Sequence, residues 1–201
     1  MDDEAVAPTW LPGLVLYNDY GDYDRYIDAL YEIYRTDFIR EPFQFGGRTI
    51  RVRREPPLRN KDKAFWHICG EDAGQSAWID FRRHERIRWP KAIILNCGDA
   101  TIKTWSDDHH SGPPGTIRTN LWFNDEYLVV LEPRPGYVLF ITAYCTDTGH
   151  TVRKLEKRFQ EALSSAAGKQ AEAATGGTGD GFGNSSHDMV GELGRSIPGL
   201  P

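Results

Sequence analysis

Residues 125–144, DEYLVVLEPRPGYVLFITAY, are the most informative part of the chain for its fold. Two apolar runs rich in β-branched and aromatic residues flank PRPG at 133–136, a sequence typical of a tight turn. The stretch therefore predicts two antiparallel strands joined as a hairpin. Two runs of similar composition precede it, at 101–105 and 117–123, with Asn-Asp at 124–125 as a further turn. We predict a four-stranded antiparallel meander in the second half of the chain.

Helical patterns lie on both sides of this meander. Asp22 is placed to cap a helix over 23–40, in which aromatic and aliphatic residues recur at three- and four-residue steps. The segment FRRHERIRWPKAIILNC at 81–97 predicts two short helices that meet at Trp89-Pro90, because proline breaks a helix but is accepted in its first turn. An amphipathic basic helix is predicted over 151–164. The predicted fold class is α+β, with N-terminal helices, a four-stranded antiparallel sheet and a C-terminal helix.

Length and composition indicate one soluble domain with a tail. The chain has 201 residues, of which 39% are hydrophobic and 26% charged. No apolar run approaches the roughly 18 residues of a membrane helix, and no basic region followed by an apolar stretch marks a secretory signal. We therefore expect no membrane contact and a cytoplasmic location. The predicted organisation is an acidic lead-in with an aromatic-faced helix (1–44), a basic helical segment with the sheet (45–165) and a flexible Gly/Ala/Ser-rich tail (166–201).

Charge is unevenly distributed along the chain. The formal net charge is −5, yet residues 1–44 hold 3 basic and 10 acidic residues whereas residues 45–91 hold 12 basic and 6 acidic residues. Such a basic block would attract a polyanion, since Arg and Lys contacts to phosphate supply most sequence-independent affinity for nucleic acid. The candidates for RNA contact are Arg51 and Arg53 on a predicted strand, Arg88 in the block and Lys154 on the last helix. The alternative is that the acidic first helix simply packs beside the block.

A histidine and two arginines are the first candidates for chemistry. His67 lies in the apolar run at 64–69, and a histidine that titrates near neutral pH can move protons in a reaction at phosphorus if cations stand near the phosphoryl oxygens. Arg83 and Arg86 are three residues apart, so on a helix they share a face, while His84 faces away from them. The alternative interpretation of His67 is a core histidine with both nitrogens satisfied.

Two hydroxyls near the end of the last strand complete the candidate set. A period of two places Val138, Phe140, Thr142 and Tyr144 on one face of that strand. Thr142 and Tyr144 therefore point together and are placed to contact a phosphate. The alternative is that both are edge hydroxyls that donate to neighbouring backbone.

Metal and cofactor chemistry finds little support in the sequence. Asp-Asp-His-His at 107–110 has ligand residue types, but they are adjacent in a Ser/Gly/Pro loop rather than spaced on one face. Cys69, Cys97 and Cys145 are odd in number and form no CxxC pair, so we expect ordinary buried thiols. No GxxxxGK[ST], GxGxxG, GxSxG or HExxH motif is present. We expect no metal and no cofactor.

The order of these pieces resembles the phage- and prophage-encoded proteins of the barnase–EndoU–colicin–RelE (BECR) nuclease superfamily. The resemblance covers about residues 58–162. It rests on FWHI at 65–68, RRHERIRWPKAII at 82–94, IKTW at 102–105, the hairpin at 125–144 and RKLEKRFQEAL at 153–163.

The resemblance implies a metal-independent ribonuclease that acts as a phage or mobile-element toxin or anti-host factor. A ribose 2′-hydroxyl would attack the adjacent phosphate and leave a cyclic phosphate and a free 5′-hydroxyl, which requires RNA. His67 would be the general acid/base, Arg83 and Arg86 the phosphate-binding cations, and Thr142 and Tyr144 would complete the site. The implied partners are RNA, such as a transfer RNA or another structured RNA, and an immunity or antitoxin protein.

Two other functions stay open from the sequence. The same fold could serve as a non-catalytic module that binds RNA or a host protein through the basic block. Residues 1–44 could act as an acidic partner-binding or self-masking segment, in which case their deletion would change activity more than stability.

Overall fold

Five α-helices and six β-strands form the described part of the chain. The computed structural model describes residues 7–70, 80–108, 113–146 and 148–175, with side chains described as far as residue 168. The helices are α1 (Tyr23–Arg35), α2 (Lys63–Cys69), α3 (Phe81–Glu85), α4 (Trp89–Leu95) and α5 (Gly149–Thr175). The strands are β1 (Gln44–Phe45), β2 (Arg48–Arg51), β3 (Ile102–Asp107), β4 (Arg118–Phe123), β5 (Tyr127–Arg134) and β6 (Tyr137–Cys145). The chain separates into two units, residues 1–166 and 167–201.

The first predicted helix is confirmed. The backbone N–H of Arg25 donates to the Asp22 carboxylate at 2.9 Å, which satisfies one of the free donors at the start of α1. α1 is followed directly by a π-helical turn, Thr36–Arg40, so the helical path covers the predicted range. Its buried stripe is aromatic and aliphatic and consists of Tyr26, Ile27, Leu30, Tyr34 and Phe38.

The pair of short helices around Trp89-Pro90 is also confirmed. α3 begins after Asp80, whose side chain accepts from the Arg83 backbone N–H at 3.4 Å. α4 carries Pro90 in its first turn, where the missing N–H has no helical partner to lose. Both helices contribute to the main apolar cluster, because Trp89 and Ile93 of α4 belong to it and Phe81 of α3 packs against it.

The sheet differs from the predicted four antiparallel strands. It has six strands in the order β1-β2-β6-β5-β4-β3. β3 to β6 form the predicted antiparallel meander, but β2 adds to β6 in parallel, with Ile50 opposite Val138. β1 then pairs with β2 as a short antiparallel edge. The sheet is therefore mixed, because a partner distant in sequence occupies the start of β6, and no local pattern announces that pairing.

Helices cover both faces of the sheet. On one face, called here the α1–α4 face, the first four helices share a continuous apolar cluster with residues such as Leu121, Val129 and Phe140. On the other, called here the α5 face, Leu155 of α5 packs on a smaller cluster of Trp105, Trp122, Leu128 and Val130. Alternate residues of β4 and β5 serve the two clusters, as the period of two requires.

α5 extends farther than the sequence predicts. The predicted helix ended at residue 164 and the predicted tail began at residue 166, but α5 continues to Thr175. Residues 166–175 are rich in Ala, Gln, Glu and Lys, which are good helix formers, so the composition that predicted a tail also allows a helix. Residues 176–201 lie outside the described residues. No helix within the described ranges is long and apolar enough to cross a bilayer.

The acidic and basic segments are in contact through two lysines. Lys61 pairs with Asp28 of α1 at 2.7 Å. Lys91 of α4 pairs with Glu41 at 2.8 Å and with Asp37 at 3.4 Å. Part of the charge of the basic block is therefore balanced within the fold, as the packing alternative proposed.

None of the three cysteines, all of which lie in the described part of the chain, forms a disulfide. Cys69 is buried in α2, as expected, whereas Cys97 and Cys145 are half-buried. The two half-buried thiols still border the main apolar cluster.

Candidate functional site

His67 is carried by α2, a two-turn helix that is otherwise enclosed. Its neighbours Phe65, Trp66 and Ile68 are buried, whereas His67 is half-buried. The indole N–H of Trp66 donates to the Leu58 carbonyl oxygen at 2.7 Å, which anchors the helix to the preceding loop. His67 is thus held by a rigid element without being enclosed in the core.

Arg83 joins the end of α2 to the edge of the sheet. Its Nε donates to the Ile68 carbonyl oxygen at 3.2 Å. Its Nη2 donates to the Ala143 carbonyl oxygen at 2.7 Å and also to the carbonyl oxygen of His67. The carbonyls at a helix C-terminus carry partial negative charge and lack helical partners, so a guanidinium is well placed there. One side chain therefore positions the helix that carries His67 against β6.

Gly70 makes room for this arginine. It ends α2 in the left-handed conformation, with φ of 83°. A Cβ at this position would lie 2.9 Å from Cδ and 3.0 Å from Nη1 of Arg83. Any other residue would therefore bring both backbone strain and a collision with the Arg83 side chain.

The Arg83 guanidinium has N–H donors that bind none of the residues that the structure describes. A guanidinium has five N–H donors, and those on Nε and Nη2 bind the backbone as described. Within the described ranges, Nη1 donates no hydrogen bond and the guanidinium has no carboxylate partner. The site therefore holds a half-buried positive charge with two N–H groups that bind no residue of the described ranges, which favours an anion with oxygen acceptors.

A bulge in the sheet determines where the two hydroxyls point. The register between β5 and β6 shifts at Val130/Leu131, so that Leu131 pairs with Phe140 while Val130 pairs with Thr142. Ile141 is the extra residue, and such an insertion moves all later side chains to the opposite face. Thr142 and Tyr144 therefore lie on the α5 face, where Tyr144 contacts the smaller cluster.

The predicted face of these hydroxyls is thus wrong, although their shared direction is right. Val138 and Phe140 face the α1–α4 cluster, because they precede the bulge. Thr142 Oγ1 lies 3.5 Å from Nη2 of Arg83, at the outer limit of a hydrogen bond. The Arg83 guanidinium carbon lies 6.0 Å from the centre of the Tyr144 ring.

The environment of Tyr144 keeps its hydroxyl protonated. Burial raises the pKa of Tyr144 above its ordinary value, and the positive charges of Arg158 and Arg83 only partly oppose that shift. At neutral pH the phenol is accordingly a hydrogen-bond donor and not a base.

Arg86 and His84 lie apart from this arrangement. α3 ends at Glu85, so Arg86 is its cap residue and the helical spacing used to pair it with Arg83 does not apply. Its Nη1 donates to the Arg82 carbonyl oxygen at 3.1 Å, and its guanidinium stacks 4.7 Å from the centre of the Trp89 ring. His84 is buried beside aromatic rings that include Tyr26 and Phe81. Among the five predicted catalytic residues, the described contacts connect Arg83 with the side chains of Thr142 and Tyr144 and with the backbone carbonyl of His67.

The four predicted RNA-binding residues are dispersed. Arg51 lies in β2 and Arg53 just after it, and both are exposed. Arg88 lines a cleft of about 590 Å³ together with Trp10 and Lys91, and Lys154 is exposed on α5. No contact joins these four side chains in the part of the chain that the structure describes.

The loop at 107–110, a weak candidate for metal ligands on its sequence, is only partly covered by the described residues. His109 and His110 lie outside the described residues. Asp107 is engaged in the fold, because its carboxylate accepts from the Trp105 indole at 2.6 Å and from Arg158 at 2.8 Å and 3.1 Å.

Sequence reasoning missed two groups of residues at or near the site. The role of Gly70 is visible only once Arg83 is placed against it. A second group consists of Arg118, Glu132 and Arg134, in which Glu132 is almost completely buried. A carboxylate between Leu131 and Pro133 in an apolar strand could have signalled a buried ion pair, since buried charges require partners.

Comparison with known proteins adds no relative to this description. No family model, no curated protein and no solved structure matches the chain.

Proposed function

We propose that this protein is a metal-independent endoribonuclease of the BECR type, a toxin or anti-host factor of phage or mobile-element origin. The observation that carries the proposal is the position of Arg83. Its guanidinium connects the helix bearing His67 with the strand bearing Thr142 and Tyr144, and it retains two N–H donors without a carboxylate partner in the described ranges.

The proposed reaction is attack by a ribose 2′-hydroxyl on the adjacent phosphorus. His67 accepts the proton of that hydroxyl and returns a proton to the departing 5′-oxygen, as a histidine titrating near neutral pH can do. The bond from phosphorus to the 5′-oxygen breaks as the bond to the 2′-oxygen forms. The products are a 2′,3′-cyclic phosphate and a free 5′-hydroxyl, so atoms and protons balance without a redox partner.

The other residues stabilise the charge that develops on the phosphoryl oxygens. The Nη1 donors of Arg83, which bind nothing in the part of the chain that the structure describes, suit a bidentate contact with a phosphate. The Tyr144 hydroxyl, protonated because burial raises its pKa, donates alongside Thr142. Arg86 has no described contact with this set, and we leave it out of the proposed machinery.

The test compares cleavage of RNA in EDTA by the wild type, His67→Ala and His150→Ala. His150 is exposed on α5 and provides a matched histidine control. The substrates are total cellular RNA, purified transfer RNA and a synthetic RNA with its 2′-hydroxyls methylated. We expect cyclic-phosphate ends from the first two substrates, no cleavage of the methylated RNA, and a loss of roughly 10²- to 10⁴-fold in rate for His67→Ala alone.

Several results would contradict the proposal. Intact RNA with all natural substrates, equal activity of His67→Ala and wild type, or cleavage of the methylated RNA would each reject the mechanism. Circular dichroism of each variant distinguishes loss of chemistry from loss of folding.

A second candidate function is a non-catalytic module that binds RNA or a host protein. The observation in its favour is that Nε and Nη2 of Arg83 donate hydrogen bonds to backbone carbonyl oxygens, as those of a purely structural arginine would. This function predicts salt-dependent RNA binding that is unchanged in His67→Ala and weakened by loss of Arg51 or Arg53.

A masking role for residues 1–44 receives less support from the contacts. Tyr26, Leu30 and Tyr34 are fully buried in the main cluster. Deletion of the segment is therefore expected to unfold the protein, which would reject the masking hypothesis.

A further inference from the structure

A cluster of arginines lies at the end of the sheet where β5 turns into β6. We call it the arginine patch, and it consists of Arg48, Arg51, Arg118 and Arg134, with Glu132 and Tyr137 among them. Each arginine contacts another member of the patch, and sequence reasoning had singled out only Arg51.

Glu132 organises one half of the arginine patch. Its side chain is 2% exposed and pairs with Arg118, whose Nε lies 3.1 Å from Oε2. Arg134 forms a second ion pair with the same carboxylate. One buried charge thus orients two guanidiniums and neutralises only one of them. Asp107, which pairs with Arg118 across β3 and β4, is already bound by Arg158.

Arg48 and Arg51 form the other half. Arg48 donates to the Arg134 carbonyl oxygen at 3.3 Å, and the Arg51 guanidinium lies 5.1 Å from the centre of the Tyr137 ring. Both arginines are exposed and Tyr137 is half-exposed. The patch therefore contains four arginines, the buried Glu132 carboxylate and an aromatic ring on which one guanidinium is stacked.

The bulge at Ile141 places most of the arginine patch on the same sheet face as the candidate site. Arg48 is the exception, because it lies two residues before Ile50 and therefore on the α1–α4 face. Arg51 pairs with Leu139, and Tyr137 pairs with Arg134, so these side chains lie on the α5 face. Thr142 and Tyr144 join that face only beyond the extra residue. Four residues of β6 lie between Tyr137 and Thr142, which places the two about 15 Å apart along the strand. Arg83 belongs to α3 on the other face and reaches this face through Nη2, which lies 3.5 Å from Thr142 Oγ1.

We infer that the arginine patch binds the single-stranded part of an RNA substrate next to the cleaved phosphate, an inference that rests on the proposed ribonuclease function. Arginines supply phosphate contacts, and the Arg51–Tyr137 pair offers a surface on which an unpaired base stacks. A folded acidic protein would match the charge but has no need of the stacking surface.

The experiment measures binding and cleavage separately. Binding is followed by fluorescence anisotropy of a short labelled single-stranded RNA whose 2′-hydroxyls are methylated, so that the proposed reaction cannot cut it. The variants are Arg134→Gln, Arg51→Gln and Tyr137→Leu. Arg25→Gln is the control, since Arg25 is exposed on α1. Arg134→Gln leaves Glu132 paired with Arg118, and circular dichroism verifies the fold of each variant.

We expect each arginine variant to weaken binding several-fold and to reduce the slope of log affinity against log salt by about 0.7. Tyr137→Leu is expected to weaken binding by about tenfold with little change in that slope. KM for natural RNA should rise in parallel, while kcat stays near the wild-type value. Arg25→Gln should match the wild type.

The outcomes separate this inference from the proposed function. If the wild type cleaves RNA and all three variants bind and cleave as it does, the inference is rejected and the nuclease stands. If the variants lose binding while the wild type cuts no RNA, RNA binding by the arginine patch is supported and the proposed ribonuclease function is rejected. If polyglutamate binds as tightly as RNA and Tyr137→Leu affects neither, the patch serves an acidic protein and the inference is rejected.

Discussion

On the α1–α4 face of the sheet, four helices bury a continuous aromatic and aliphatic cluster, whereas the α5 face buries a much smaller cluster beside ion pairs and hydroxyls. The first face includes Tyr26, Tyr34, Phe65 and Phe140, all fully or almost fully buried. The second includes Asp107 with Arg158 and Glu132 with Arg118. Apolar burial is the main source of folding free energy. We conclude that stability resides mainly on the first face, which leaves the second free to carry charges that a ligand can use.

The largest expected effect is loss of an aromatic ring from the α1–α4 face. Phe65→Ala should lower the free energy of unfolding by about 3–5 kcal/mol, because it removes a buried ring and leaves a cavity. Leu155→Ala on the α5 face should cost less, toward the lower end of roughly 2–5 kcal/mol. Urea unfolding of both variants measures the difference. A larger loss for Leu155→Ala would reverse the comparison between the faces.

The buried ion pair on the α5 face should produce the next effect. Asp107 and Arg158 are 8% and 15% exposed in their side chains, and two hydrogen bonds connect them. Asp107→Asn keeps the shape but removes the negative charge, and we expect a loss of about 1.5–3 kcal/mol in unfolding free energy. The exposed pair of Glu161 with Lys157 is the control, because Glu161→Gln should cost well under about 1 kcal/mol.

Substitution of Gly70 tests the connection between the helices and the candidate site. Gly70→Ala should cost about 1–2 kcal/mol in stability from the left-handed backbone and should also lower RNA cleavage, because the new Cβ displaces Arg83. Gly21→Ala is the matched control, since Gly21 also has a positive φ but has no atom near its Cβ position. Equal cleavage by the two variants, at equal stability, would remove Arg83 from the proposed site.

The smallest expected effect is a pH dependence at the contact of α4 with the π-helical turn. Burial raises the pKa of Asp37 above its ordinary value, although Lys91 opposes the shift. Folding thus favours the protonated form of Asp37. The contribution of Asp37 to the free energy of unfolding is therefore lost as the pH rises through its raised pKa. Asp37→Asn should therefore gain stability relative to the wild type on going from about pH 4 to pH 7. Unfolding free energies over that range measure it, and a relative loss would contradict the assigned sign.

The successes of sequence reasoning were local. The cap at Asp22, the break at Trp89-Pro90 and the meander over β3–β6 depend on spacing and turn residues within a few positions. The parallel addition of β2 to β6 was missed because its partners, Ile50 and Val138, are far apart in the chain. The bulge was missed because the run from Tyr137 to Tyr144 alternates without any visible interruption.

The candidate site shows the same difference between local information and contacts made by distant segments. Residue types and spacing led to His67, Arg83, Arg86, Thr142 and Tyr144 as candidates. The helical spacing that paired Arg86 with Arg83 does not apply, because α3 ends at Glu85. Where the donors of Arg83 are directed, and why Gly70 must be a glycine beside it, follow from contacts between α2, α3 and β6.

Periodicity, turn chemistry and composition over short windows were enough to predict most of the helices and strands, their order along the chain and the segregation of charge. The helix at Lys63–Cys69, the six-stranded sheet, the face on which Thr142 and Tyr144 lie, and the meeting of Arg48, Arg51, Arg118 and Arg134 became visible only in the folded chain. The last three outcomes depend on which distant segments pair and on one extra residue at Ile141. A shift of a single residue exchanges the two faces of a strand, and the partner strand, not the local sequence, sets that register.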